Sequence, residues 1–166
     1  MVRNRPSLVT LAKGIIALPF MVLVVIPSFL LFLFSYNLVL NSEIHMFFIA
    51  IGIVPTLIGL FFAVDTVKTF FAVGKGTPAP WEPPQKLVIT GLYSRMRNPM
   101  ITGVVFILLG ESLIFNSAAL LVWAVFFFVL NHFYFIFSEE PALEKRFGKD
   151  YIKYKKEVPR WIPKLK

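Results

Sequence analysis

From Ala118 to Phe137 the chain runs for twenty residues without a lysine, arginine, aspartate or glutamate. At about 1.5 Å of rise per residue, such a run makes a helix about 30 Å long, the thickness of a bilayer's hydrocarbon core. Three other apolar runs accompany it. Gly14 to Leu40 is broken only by Ser28, Ser35, Tyr36 and Asn37, and Ile44 to Val64 follows after the polar break Asn41-Ser42-Glu43. Met100 to Phe115 is separated from the last run by Asn116 and Ser117 alone. The expected fold is therefore all-α and integral to a membrane, with four transmembrane helices, the last two forming a tight hairpin. Pro19 and Pro27 fall inside the first run; a membrane helix accepts such prolines where neighbours satisfy the freed carbonyls. At 57% hydrophobic, the chain exceeds the ~45–50% usual for soluble domains.

Arg3, Arg5 and Lys13 before the first run raise the possibility of a cleaved signal peptide. That run is too long for one, and no small-residue cleavage site follows it, so it reads as an anchor. The net charge of +8 invites comparison with nucleic-acid-binding proteins, but its placement argues otherwise. Every lysine and arginine lies at positions 3 to 13, 68 to 97, or from 145 onward, and none falls in the other two connections. The positive-inside rule then puts both termini, the central loop and the tail in the cytoplasm, at the inner membrane if the source is prokaryotic. The expected partners are membrane lipids and not nucleic acid. With no cysteine, disulfides and thiolate-bound metals are excluded, and no metal site is expected.

The chain divides into two N-terminal spans, residues 1–75, and a C-terminal core, residues 76–166, within one structural unit. Between them GKGTPAPWEPPQK, residues 74 to 86, carries too many prolines for a helix or strand interior and reads as an ordered or semi-rigid loop. Two polar clusters then stand out. GLYSRMRNPMITG, residues 91 to 103, lies at the mouth of the third run, with Pro99 at the first helical position and Gly103 allowing close approach one turn in. Free N–H groups at such a helix start suit a carboxylate or phosphate. Arg95, Arg97 and Tyr93 equally fit an ordinary interfacial belt. The second cluster, Ser138-Glu139-Glu140-Pro141, closes the fourth run. A hairpin brings it beside the first, where it either completes a ligand pocket of mixed charge or starts the next helix with its acids facing the dipole.

Beyond Glu140, residues Ala142 to Glu157 have helical character interrupted near Gly148, with Leu143, Phe147, Tyr151 and Tyr154 recurring at three- or four-residue intervals. Lys145, Lys149, Lys153 and Lys156 occupy other faces, as in a helix lying on a membrane surface. Glu111, a carboxylate inside an apolar run, sits twelve residues past Pro99. That is about 18 Å along the helix, too far for direct chemistry, and a structural partner in the Ser112 region is expected for it.

The ordered pattern Gly91-x-Tyr93-x-x-x-Arg97-Asn98-Pro99-x-x-x-Gly103, then Glu139-Glu140-x-x-Leu143-x-x-x-Phe147-Gly148-x-x-Tyr151-x-x-Tyr154-x-x-x-Val158-Pro159-Arg160, resembles the integral-membrane methyltransferases of the isoprenylcysteine carboxyl methyltransferase family, relatives of the phospholipid N-methyltransferases. The resemblance covers about residues 76 to 163. It implies a cytoplasm-facing pocket for S-adenosylmethionine, with S-adenosylhomocysteine as product, capped by the C-terminal helices. By position, Gln85, Lys86, Leu87 and Val88 would line the cofactor. Tyr93 would stand on its rim, the Arg97-Asn98-Pro99-Met100-Ile101 turn and Gly103 against it, and Glu139 on its polar groups. Arg160 and Trp161 would close the pocket.

The acceptor implied is a lipidic carboxylate or amine reached from the bilayer. An amine must first lose a proton, for which Glu140, Tyr151 and His132 are the candidate bases, and Arg160 completes the expected catalytic set. The chain departs from the family at three places. Asn98 replaces a histidine, Ile101 replaces a tyrosine, and Phe135 stands where the prenylcysteine enzymes carry an arginine associated with the acceptor carboxylate; His132 is the nearest substitute. A non-catalytic membrane scaffold or lipid-binding protein keeping the same architecture is the alternative. A reductase related to the sterol enzymes is not favoured, since no dinucleotide fingerprint is present.

Overall fold

The computed structural model describes residues 17–34, 42–69, 72–73 and 86–164. The proline-rich loop up to Gln85, the basic residues before the first run and the ends of that run lie outside the described residues. Among those described there are helices and turns but no strand. Helix α1 spans Ala17–Leu33, α2 Ser42–Thr69, α3 Pro99–Ile114 and α4 Ala118–Tyr134. The last continues through a π-turn, Phe135–Glu139, into α5, Glu140–Phe147, and α6 follows as Lys149–Glu157. Two stretches are long and apolar enough to cross a membrane, Glu43–Thr69 and Ala118–Phe147, and the apolar part of the second ends at Phe137. Helices α1 and α3 are apolar but shorter. The second run does not stop at Asp65 as expected. Helix continues to Thr69: no glycine or proline intervenes, and the Thr66 hydroxyl is accommodated on the Phe62 carbonyl at 2.7 Å. Asp65 and Lys68 are thus helical residues, not the start of the loop.

The closest packing is that of α2 on α3, and glycine makes it possible. A Cβ added at Gly59 would stand 2.5 Å from the Gly103 carbonyl, and one at Gly103 would stand 2.9 Å from the Gly59 carbonyl. Gly52 and Gly110 form the same reciprocal pair seven residues along each chain, at 2.9 and 2.7 Å. The helices are therefore antiparallel, their backbones touching every two turns. In lipid, where hydrophobic burial gives little drive to association, such backbone approach is what small residues contribute.

Helix α4 covers the other side of α3. Val104 and Leu108 pack against Ala124 and Phe127, with Val22 and Leu23 of α1 joining them. Proline chemistry explains how α1 is held. Its π-turn, Met21–Val25, has the Ile26 N–H bonded to the Met21 carbonyl. The next carbonyl in that register, Val22, would need an N–H from residue 27, which is proline. The Trp123 indole donates to the Val22 oxygen instead, at 3.2 Å. The α3–α4 hairpin turns at Asn116, whose φ of 47° is left-handed, and at Ser117, whose hydroxyl caps α4. Glu111 does not partner Ser112 as expected: the Ser112 hydroxyl donates to the Leu109 carbonyl, and Glu111 Oε2 is buried without a hydrogen bond.

Replacing Gly59 by leucine forces α2 off α3. The expected cost is at least the ~1–3 kcal/mol of overpacking, read as a lowered thermal midpoint in detergent. Leu57→Phe, on the exposed face of the same helix, is expected to stay within about 0.5 kcal/mol of the parent.

Candidate active site

The hairpin and the C-terminal helices bring the two polar clusters together at one end of the molecule. Arg97, two residues before α3, and Glu140, at the start of α5, meet with Nη1 2.6 Å from Oε1. Arg160 grips the same carboxylate through Nε and Nη2, at 2.7 and 3.0 Å. Lys155 of α6 lies 3.2 Å from its second oxygen and 2.7 Å from Glu144. Glu140 is only 3% exposed, so its charge is supported by three cations from three different segments. Burial pulls its carboxyl upward, but the Arg160 hydrogen bond, the Arg97 charge and the Lys155 contact together hold it below its ordinary 4.5. This is the opposite of what a general base near neutral pH requires.

The chain after α6 is stitched to the same place. The Arg97 and Asn98 N–H groups donate to the Pro159 and Arg160 carbonyls at 2.9 and 3.2 Å, and the Lys164 N–H donates to the Arg95 carbonyl at 2.9 Å. Trp161 stacks among Phe128, His132 and Phe135, and its indole donates to His132 Nδ1 at 3.0 Å. His132 is therefore occupied as an acceptor. Phe135 is buried in this aromatic group, leaving no cation at the position where the prenylcysteine enzymes carry arginine. Tyr151 is 2% exposed. Burial first and the Glu140 charge next raise its phenol, while Arg97 hydrogen-bonds it, so it stays protonated. Tyr154 donates to the Tyr93 carbonyl at 2.7 Å.

Glu139 differs from its neighbour. Just past the apolar part of the α4 rod, it makes no ion pair or hydrogen bond among the described residues. Burial, and secondarily the Glu140 charge, push its carboxyl up to about 7. Nearby, the buried Tyr93 phenol is raised by desolvation, then by Tyr154, Glu139 and Asp65. Those two carboxylates therefore lie within electrostatic reach of one hydroxyl. At the start of α3 the first helical bond runs from the Thr102 N–H to the Asn98 carbonyl, so the Met100 and Ile101 N–H groups precede it. Asn98 Nδ2, Arg97 Nε and Asp65 Oδ2 are buried without hydrogen-bond partners.

Several expected cofactor residues also pack within the fold. Gly103 faces Gly59 of α2 across the backbone contact, so its missing side chain serves helix packing. Ile101 packs on the Val104–Phe127 core, and Leu87 on the Tyr151–Tyr154–Val158 core. Val88 and Pro99 are buried, Met100 is half-buried and Lys86 is exposed. Gln85 lies outside the described residues. Asp65 did not emerge from the sequence as a site residue. The available signal was a carboxylate near the end of the second run, facing the same polar layer as both clusters.

A family model described as phospholipid methyltransferase matches residues 28–150. The chain belongs to the phospholipid methyltransferase family. No individual curated protein matches it. The family match enters α1 and runs through α2, reaching further toward the N-terminus than the motif resemblance, and stops short of Tyr151 and Arg160. Membership of the family implies a methyltransferase activity, lipids as the substrate class and a methyl donor such as S-adenosylmethionine.

Removing the shared carboxylate strands two arginines. Glu140→Gln is expected to destabilise the detergent-solubilised protein by about 3–5 kcal/mol, as for a broken buried pair. Glu144→Gln, whose Lys155 partner is more than a third exposed, is expected to cost under about 1 kcal/mol. The Glu140 stabilisation is fully present above 4.5, its unfolded-state value, and is lost as pH falls through the lower folded value. A thermal-unfolding series toward acid is expected to show that loss in the parent and not in the Gln variant.

Proposed function

We propose that the protein is an S-adenosylmethionine-dependent methyltransferase acting on the amine head group of a membrane lipid at the cytoplasmic face. One observation carries the choice of an amine. Arg97 and Arg160 are both committed to Glu140, and Phe135 fills the place of a carboxylate-binding arginine, whereas Glu139 stands without a cation. A pocket furnished in this way favours a positively charged head group over a carboxylate.

The residues present also fit the cofactor. Its carboxylate suits the Met100 and Ile101 N–H groups together with the orphaned Asn98 Nδ2, and its cationic centres suit Glu139 and the Tyr93 ring. When bound, S-adenosylmethionine supplies a methyl group already activated on a sulfonium. The chain's contribution is alignment and charge, which accounts for much of the gain in a transfer between two held reactants. Glu140 fixes the geometry by tying the start of α3 to α5, α6 and the C-terminal segment. Val158–Lys164 covers the site, and Trp161 secures it against His132.

In the same reading all four apolar helices sit in the bilayer. Helix α3 has 16 residues, about 24 Å at helical rise, and the N-terminal turn of Gly91–Ser94 completes its passage to the head groups. Lipid then enters from the side and cofactor from water.

Calorimetric titration of the purified protein with S-adenosylmethionine is expected to show saturable binding that tightens as pH rises through about 7, because the ionised Glu139 carboxylate is the form that attracts a cation. In Glu139→Gln the binding is expected to weaken and this pH dependence to flatten. Absence of binding by the folded parent overturns the reading.

A further inference from the structure

Asp65 is a half-buried carboxylate at the polar end of the molecule with no task in the account so far. It lies on α2, one turn before the helix ends at Thr69, outside both motif clusters. Its Oδ2 is sealed from solvent without a hydrogen-bond partner, and the residue enters no ion pair among those described. A carboxylate at the membrane's edge with neither a cation nor a hydrogen bond among the described residues is costly, and such groups mark functional positions.

Its surroundings say where it points. The 3₁₀ turn Gly91–Ser94 packs on this end of α2. Gly91 has φ +61°, and a Cβ there would stand 3.0 Å from Thr69 Oγ1 and 3.5 Å from Asp65 Oδ2. That φ and the contact on Thr69 both favour glycine at the position. The turn thereby lays Tyr93 close to Asp65, and the same hydroxyl feels Glu139 from the α4–α5 junction. Thr69 on its own helix and Tyr93 on the turn therefore lie beside Asp65, and Glu139 acts on the same Tyr93 hydroxyl. Two unpaired carboxylates on separate helices share one tyrosine.

We propose that Asp65 is the acceptor-side carboxylate of the site: it binds the lipid's head-group ammonium and takes its proton, leaving Glu139 to the cofactor. This rests on the proposed reading of the site as one for an amine lipid. The proton step is simple. An N–H bond of R–NH3+ breaks, an O–H bond forms on the Asp65 carboxylate, and the nitrogen keeps the electron pair that methylation needs. The carboxylic acid then returns its proton to water.

The test uses the full chain and Asp65→Asn. Binding of lysophosphatidylethanolamine in detergent is expected to weaken about tenfold or more in the variant, while S-adenosylmethionine binding is unchanged. Methylation of ethanolamine lipid is expected to fall at least about 100-fold, the usual worth of a general base. A lipid whose head amine is made weakly basic by fluorine substitution, and so is unprotonated at neutral pH, is expected to lose far less. A merely structural role for Asp65 would depress both acceptors alike. If the Asn variant does not fold, Asp65→Glu, which keeps the charge but displaces it, is compared on the same two lipids. Equal losses on both, or parent-like rates on ethanolamine lipid, overturn the role of Asp65 alone. A parent protein that binds S-adenosylmethionine yet methylates no lipid amine overturns the amine reading, and this inference with it.

Discussion

Everything at the polar end of this protein depends on one buried carboxylate. Glu140 receives Arg97 from the approach to α3, Arg160 from the C-terminal segment and Lys155 from α6. Apolar contacts hold parts of these segments, Tyr151, Tyr154 and Val158 on one side and Trp161 on the other, and Glu140 is the group on which all three converge. Charge-assisted hydrogen bonds shielded from water fix the register of these segments alongside their apolar contacts. Removing a single partner is therefore worse than never having built the network, because the remaining charges stay where water cannot reach them.

The apolar part of the molecule is assembled on a different principle. Helices α2 and α3 meet backbone to backbone at Gly59/Gly103 and Gly52/Gly110, a contact whose strength comes from van der Waals fit and not from expelling water. The two assemblies are coupled through α3. Its glycine face fixes it to α2, and its N-terminus carries Arg97 and Asn98 into the ion network and the site. Because the contact with α2 is so close, the end of α2 is carried to the same level, and Asp65 arrives beside the turn that bears Tyr93.

The sequence was most informative where one residue has one physical meaning. The run without charges, the helix-starting Pro99, the Asn116-Ser117 turn and the break at Gly148 each set a local outcome, and the helices begin and end close to those marks. The sequence also brought the two polar clusters to one end through the hairpin. It could not divide labour between Glu139 and Glu140. Adjacent letters look equivalent, and only the direction of the two side chains decides that one meets three cations and the other none. Gly103 reads both as a point of close approach and, through the resemblance, as a cofactor contact, because a glycine near a motif has two explanations; the fold puts it against Gly59. Asp65 is hard to see for a related reason: the apolar run closes at Val64, and only the helix's continuation to Thr69 puts the next residue on a packed face.

That division of labour has a chemical consequence beyond this site. Two neighbouring carboxylates repel, and each raises the other's hunger for a positive partner. Here the repulsion is relieved on one side by fixed arginines and left open on the other. Glu140 is satisfied within the protein, while its fixed negative charge adds to burial in holding the Glu139 carboxyl above its ordinary value. A cation entering the site would meet a carboxylate whose charged form is costly only while it is alone, so the free energy of ionising Glu139 becomes part of the discrimination. An uncharged molecule of the same shape brings nothing to offset that cost, and a carboxylate makes it worse. Selectivity for a cationic ligand can thus arise from a carboxylate the fold leaves unpaired as well as from contacts shaped to the ligand.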